Sequence, residues 1–154
     1  MCIRDRSTSP GYAELQFKLG KSYAALPGGW QAEKRSANLR RAIACYKAVL
    51  TVYTVQDAPL DYAETQIELG NVYMQLSDDD QVENLHQAIA CYKEALNVWL
   101  RDVTASGFLQ PVIVQEKLTS AYLDLARLYL KQGKVDRIQA LYQEIKKFYS
   151  YDHP

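Results

Sequence analysis

The chain has 154 residues, of which 48% are hydrophobic and 23% are charged, a composition typical of globular proteins. Its 18 basic and 18 acidic residues cancel, so no overall field attracts nucleic acid or an anionic membrane. No apolar run approaches the roughly 20 residues that span a bilayer. We therefore expect a cytoplasmic protein with neither a nucleic-acid nor a membrane partner.

The first residues read differently from the rest. Residues 1–6 spell MCIRDR, which resembles the in-frame translation of a transposon adapter used in sequencing libraries. They lack the apolar stretch of a signal peptide. We assign residues 1–9 to this adapter and a disordered lead, and residues 151–154 to a tail. The natural chain is then expected to begin upstream, so that this sequence is a C-terminal fragment.

From residue 10 onward the chain nearly repeats itself. Three phrases recur, namely Tyr-Ala-Glu at 12–14 and 62–64, Leu-Gly at 19–20 and 69–70, and Ala-Ile-Ala-Cys-Tyr-Lys at 42–47 and 88–93. A third, degenerate unit contains Leu125, Ala126 and Tyr129. Such tandem units are typical of solenoids, in which each unit buries its apolar face against its neighbours. The predicted repeats lie at about 10–58, 59–108 and 109–150.

Apolar residues recur every three or four positions through each unit, which predicts helices. The expected fold class is all-α, an α-α superhelix of three antiparallel helix pairs. Its helices are predicted at 11–26, 37–56, 61–76, 82–104, 112–132 and 135–149, with a break at 107–111.

Turn and capping residues mark several helix ends. Asp61 with Glu64 predicts a capping box at the third helix, and Gly11 in the equivalent place predicts a weaker cap on the first. Pro27 with its two following glycines predicts the end of the first helix, and Gly133 predicts the end of the fifth.

The spacing within each unit resembles the tetratricopeptide repeat, in which Leu-Gly or Leu-Ala, Tyr, Ala, an aromatic and Ala follow in order. The second unit supplies Leu69, Gly70, Tyr73, Ala88, Tyr92 and Ala95. Gly20, Gly70 and Ala126 are expected to let paired helices approach closely, while Tyr23, Tyr73 and Tyr129 fill the space between pairs.

The spacing between the helices differs among the units. In the third unit, the interval from Ala126 to Tyr142 equals the family's own interval. The interval from Gly20 to Tyr46 is longer by ten positions, and that from Gly70 to Tyr92 is longer by six, which predicts insertions between the helices. Units of about 50 residues also resemble long bacterial tandem arrays, often joined to caspase-like protease or signalling NTPase domains.

The resemblance implies a protein-interaction scaffold that binds a peptide or partner protein along a concave face formed by the first helix of each pair. The expected binding residues are Phe17, Lys21, Ala24, Ile67, Asn71, Met74, Leu123, Arg127 and Leu130. The alternative function is a regulatory or sensor arm of a larger enzyme whose catalytic domain lies upstream.

The binding surface has its own alternative interpretation. Lys21, Asn71 and Arg127 suit an apolar or amphipathic segment that offers a carboxylate or backbone carbonyl. Equally, Phe17 and its apolar equivalents could pack against neighbouring helices while the three polar residues are merely solvated. The first helix should also expose a face that another repeat would cover. We therefore expect self-association or fraying of residues 11–26.

Catalytic and metal-binding patterns are missing from the sequence. Cys45 and Cys91 occupy equivalent positions without metal-ligand spacing, which indicates free, buried thiols. Residues 78–80 form an acidic run without the alternation that calcium loops need, so a solvated loop is expected. The basic run at 34–35 and 40–41 lacks interleaved aromatics, which argues against nucleic-acid binding. We predict neither an enzyme nor a cofactor.

Overall fold

The computed structural model describes residues 8–29, 31–77, 80–101 and 109–150. They form six helices, namely α1 (Pro10–Ala25), α2 (Ala32–Leu50), α3 (Pro59–Gln75), α4 (Gln81–Arg101), α5 (Leu109–Lys131) and α6 (Val135–Ser150). These described residues include no strand, which confirms the all-α class. Residues 1–7 of the predicted lead, residues 102–108 and the tail lie outside the described residues, and the superhelix stays a prediction.

Helices that are neighbours in sequence pack against one another, and α1 also touches α3. The first pair is antiparallel. The Tyr53 hydroxyl, just beyond α2, donates to the Pro10 carbonyl at the start of α1 at 3.4 Å. At the other end, the Arg35 guanidinium donates to the Ala24 and Leu26 carbonyls at 2.7 Å. One apolar cluster, with its buried members in α2 to α6, runs through the molecule.

Two glycines allow the paired helices to approach closely, as predicted. A Cβ atom placed on Gly20 would lie 2.8 Å from the Tyr46 ring, and one on Gly70 would lie 2.7 Å from the Tyr92 ring. Both tyrosines are buried. Each of the two pairs thus packs a glycine of its first helix against a tyrosine of its second, and we call this contact the glycine–tyrosine joint. The contact forms in both pairs, although Gly20 and Gly70 precede their tyrosines by different intervals.

The extra residues of the first two units lie mostly in the second helices, which corrects the prediction that they lie between helices. The connections are short, at residues 26–31, 76–80 and 132–134. Instead, the stretch of helix that precedes the tyrosine is longest in α2 before Tyr46, shorter in α4 before Tyr92, and shortest in α6 before Tyr142. A helix absorbs each added residue by growing about 1.5 Å without leaving the backbone unpaired.

Helix α2 starts five residues before its predicted start and ends six before its predicted end. At the start, the Gln31 carbonyl accepts from Lys34 and Arg35, and Glu33 lies in the first turn, where a negative charge favours the helix dipole. At the end, the Thr51 hydroxyl donates to the Ala48 carbonyl. A side chain that takes a backbone partner in this way competes with helix continuation.

The two predicted caps are reversed in strength. The first helix is capped by Ser9, whose side chain accepts from the Tyr12 amide at 3.2 Å. The third has Ala58 as its N-cap and makes no side-chain cap bond, because the helix starts at Pro59 and Asp61 already lies in its first turn. A proline at the first helical position has no N–H to satisfy, and the N-cap, Ala58, lies three residues before the Asp61 that the capping box predicts.

The predicted ends of the first and fifth helices agree with the structure, whereas the predicted break before the fifth helix agrees only in part. Helix α1 ends at Ala25, two residues before Pro27, and α5 ends at Lys131, two residues before Gly133. Gly29 and Gly133 have positive φ values of 58° and 67°, which glycine adopts without strain. The predicted break at 107–111 is wrong over its last three residues, which belong to α5. Pro111 fits there because the first turn of a helix leaves its N–H groups unpaired. Residues 107 and 108 lie outside the described residues.

Candidate functional site

The nine predicted binding residues lie on α1, α3 and α5, and we call the side that these helices share the first-helix face. Two contacts join the helices along it. Lys21 Nζ of α1 lies 3.7 Å from Glu68 Oε1 of α3. Lys117 Nζ of α5 donates to Asn71 Oδ1 of α3 at 2.9 Å. These contacts therefore link α1, α3 and α5 in that order, with α3 in the middle.

The apolar members of the set divide by burial. Phe17 packs on the Tyr46 ring with 5.7 Å between centroids, and Ala24, Ile67 and Met74 are likewise partly buried against the core. Leu123 and Leu130 are exposed instead. The neighbour-packing interpretation thus describes the α1 and α3 members, whereas α5 presents apolar side chains to solvent.

The polar members all have partners within the chain. Lys21 pairs with Glu68 and lies 5.4 Å from the centre of the Phe17 ring. Arg127 Nη1 donates to Asp124 Oδ1 at 3.0 Å, one turn earlier on α5. The Arg127–Asp124 pair is largely exposed, so a ligand carboxylate can compete for Arg127 at little cost. The Lys21 pair is less open, since the Glu68 side chain is 28% exposed.

Asn71 has a structural role that sequence reasoning missed. Its Oδ1 accepts from the Tyr92 hydroxyl as well as from Lys117, both at 2.9 Å. The equivalent hydroxyl in the first pair, that of Tyr46, is buried without a hydrogen-bond partner. The residue that follows Gly20 is Lys21, which has no acceptor atom, whereas the residue that follows Gly70 is Asn71.

Several depressions open beside the predicted residues. One of about 220 Å³ lies between α1 and α3 and is lined by Phe17. A second, of about 260 Å³, is lined by Met74 and Arg127 where α3 and α4 meet α5. A third, of about 470 Å³, runs along α5 past Leu123 and Arg127. These three cavities bring four of the nine residues into concave surface.

The charges lining these depressions differ. The α1–α3 depression has three carboxylates and one cation, namely Glu14, Asp61, Glu64 and Lys18. The depression of about 260 Å³ has two cations and one carboxylate, namely Arg127, Lys131 and Asp124. The α1–α3 depression thus favours a positively charged ligand group, and the depression beside Arg127 favours a negatively charged one.

The third helix pair departs from the other two. Tyr142, the expected equivalent of Tyr46 and Tyr92, is 61% exposed. Its expected partner position is Ala126, which has the Cβ atom that the glycine joints exclude. An apolar groove of about 350 Å³ opens between α5 and α6, lined by Thr119, Tyr122, Leu123, Ala126, Ile138, Leu141, Tyr142, Ile145 and Tyr149. In the sequence, the only signal of this groove was Ala126 at the position where the first two pairs have glycine.

A further depression of about 580 Å³ lies between α4 and α6. There Glu144 accepts hydrogen bonds from Lys93 and, at 3.1 Å, from the Tyr122 hydroxyl. Partial burial acts to raise the pKa of Glu144, but these hydrogen bonds and the Lys93 charge outweigh it, so its pKa is lowered. This cluster ties α6 to α4 and α5.

The cysteine and histidine side chains that could serve catalysis or metal binding are buried or contact other residues of the chain. Cys45 and Cys91 are free and buried, as predicted, and burial raises the pKa of Cys91 to about 12, so this thiol stays protonated at neutral pH. His86 Nε2 lies 2.8 Å from the Tyr129 hydroxyl. Within the described ranges no group of three or more His, Cys, Asp or Glu residues could hold a metal ion. Asp78 and Asp79 lie outside these ranges.

Two residues of the basic run, Arg35 and Arg41, make contacts within the chain. Arg35 reaches the end of α1 and the Gln75 side chain of α3, and Arg41 lies over the Tyr23 ring at 5.8 Å. Among the described helices, none combines the length and apolar character needed to cross a membrane.

No protein-family model matches the chain, and neither the curated proteins nor the solved structures contain a match. The tetratricopeptide resemblance therefore rests on the residues themselves and stays a prediction.

Proposed function

We propose that this chain is a protein-interaction scaffold of the tetratricopeptide type, which binds an extended segment of a partner protein along the first-helix face. The observation that carries the proposal is that contacts between side chains link α1 to α3 and α3 to α5, which places the three first helices next to one another. A segment lying across three helices can combine many weak contacts without needing a deep pocket.

The exposed side chains of α5 are the proposed anchors. Leu130 offers apolar area, and the Arg127 guanidinium borders two of the depressions. Arginine is enriched among residues that dominate binding energy, and it recognises carboxylates bidentately. Asn71 is not proposed as an anchor, because Tyr92 and Lys117 already use its carbonyl oxygen.

The charge difference between the depressions suggests the ligand's polarity. The carboxylates between α1 and α3 favour a basic residue, and the cations beside Met74 favour an acidic one. We therefore propose an amphipathic segment with a basic end at α1–α3 and an acidic end at α5.

A displayed random-peptide library panned against the full chain tests the proposal. The selected peptides should lose about 10-fold in affinity with Arg127→Glu or Leu130→Glu, which corresponds to about 1.4 kcal/mol for each anchor. The matched controls are Lys147→Glu and Leu100→Glu, which change a cation and an exposed leucine beside the α4–α6 depression.

Equal losses in the controls, or a library that yields no specific binder, would contradict the proposal. The regulatory-arm alternative stays a prediction. It uses the same surface, but requires a catalytic domain joined to it.

A further inference from the structure

Equivalent stripes on α1 and α3 have opposite exposures. Thr65 and Leu69 of α3 and Leu76 just after it are 1%, 4% and 3% exposed. The residues 50 positions earlier, Leu15, Leu19 and Leu26, are 63%, 40% and 46% exposed. A spacing of four residues places Leu15 and Leu19 on one side of α1 and their equivalents on one side of α3, while Leu26 and Leu76 directly follow the helix ends. We call the α1 set the leucine stripe.

The stripe on α3 is covered by the preceding helix pair. Gly70 marks the side of α3 that packs on Tyr92 of α4, and Leu69 points about 100° away from it around the helix axis. Both helices of the preceding pair pack against α3, α2 more extensively than α1. The same arrangement recurs one pair later, where Ala121 and Leu125 of α5 are fully buried and α4 packs against α5.

At the other end of the molecule the receiving surface is open. Each earlier pair accepts the first helix of the next pair, since α3 packs on α2 and α5 packs on α4. The last pair instead presents the apolar groove between α5 and α6, with Tyr142 exposed at its edge. Gln132, Lys146 and Lys147, which the sequence suggested as a polar exterior, are exposed but leave this groove uncovered.

We infer that the leucine stripe of one chain docks into the α5–α6 groove of a second copy of the same chain. The contact would repeat between chains the packing that α2–α3 and α4–α5 already make within one chain. Helix α1 is the occupant that fits, because its sequence is equivalent to that of α3, a helix that docks on such a pair. Both surfaces are on one molecule, so each chain has a donor stripe and an acceptor groove.

This geometry determines the form of the assembly. The stripe and the groove are different surfaces at opposite ends of the helix order, so the contact is heterologous and need not stop at a dimer. Leu123 lines this groove and also belongs to the first-helix face, so the test uses Leu19 and Tyr142, which are not among the proposed peptide anchors.

Sedimentation of the full chain over a range of concentrations tests the inference. We expect the average mass of the unmodified chain to rise with concentration past that of a dimer. Leu19→Glu should abolish association by disabling the stripe, and Tyr142→Glu should abolish it by disabling the groove. The matched controls Ala25→Glu and Gln143→Glu, at exposed positions on the same helices, should associate like the unmodified chain.

A mixture of the two disabled variants gives the sharpest test. Each retains the surface that the other lacks, so the mixture should form a one-to-one dimer that does not grow further. The inference fails if the unmodified chain is monomeric throughout, if either variant alone still associates, or if the mixture stays monomeric. Circular dichroism checks that the variants fold, and Leu15→Glu, at a more exposed position, replaces Leu19→Glu if the latter unfolds.

Discussion

The first and second helix pairs have nearly the same sequence and the same glycine–tyrosine joint, yet they are held differently. In the second pair the Tyr92 hydroxyl donates to Asn71, and α3 is packed by neighbours on both sides. In the first pair the Tyr46 hydroxyl is buried without a partner. From this comparison we infer that a repeated apolar pattern fixes the packing, while single polar residues set how much each glycine–tyrosine joint contributes to stability.

The largest effect is expected when the hydrogen bond between Tyr92 and Asn71 in the second pair is removed. Asn71→Ala removes the acceptor of the buried Tyr92 hydroxyl and of Lys117, which should lower the free energy of unfolding by about 2–3 kcal/mol. Chemical denaturation measures the change. Tyr92→Phe in the same background should recover part of the loss, because no hydroxyl is then left unpaired. A neutral Asn71→Ala would show that this bond contributes nothing.

The next effect fills the glycine joint. Gly70→Ala places a methyl group 2.7 Å from the Tyr92 ring, which should cost about 1–2 kcal/mol after the gain in helix propensity. Gly20→Ala should cost less, because α1 packs mainly on α2 and only lightly on α3, so it can move away more easily. Gly11→Ala meets no atom within 4 Å and serves as the control. Denaturation midpoints check the order, and equal losses at Gly20 and Gly70 would contradict the comparison.

A smaller effect is expected when the amide–hydroxyl contact of the second pair is introduced into the first pair. Lys21→Asn places an amide oxygen where Asn71 has one, and should stabilise the chain by about 1 kcal/mol through the Tyr46 hydroxyl. Lys21→Ala, which removes the ion pair with Glu68 and the contact with the Phe17 ring but adds no amide, is the control. If Lys21→Asn stabilises equally well in a Tyr46→Phe background, the hydroxyl is not the cause.

The smallest effect concerns the pair without a glycine joint, where Glu144 helps to hold α6. Its lowered pKa means that the charged form is favoured by folding. This stabilisation is present above the ordinary value of 4.5 and is lost as the pH falls through the lowered pKa. The thermal midpoints of the unmodified chain and Glu144→Gln should therefore differ at pH 7 and converge in acid. A difference that persists there would show that ionisation of Glu144 is not responsible.

The sequence predicted the helical class, the glycine joints and the free cysteines because each follows from local spacing or side-chain size. It placed the inserted residues between helices, since interval counting cannot tell a longer helix from a longer loop. The capping box failed because Pro59 started α3 earlier than Asp61. The structural role of Asn71 was invisible, because it depends on Tyr92 and Lys117, which lie 21 and 46 residues away.

Backbone amide chemical-shift mapping with a library-selected peptide tests the proposed binding surface most directly. We expect shifts along α1, α3 and α5, centred on Lys21, Arg127 and Leu130. The residues beside the α4–α6 depression, such as Ala90 and Lys147, should stay unchanged. Shifts confined to that depression or to the α5–α6 groove would contradict the assignment of the first-helix face as the binding surface.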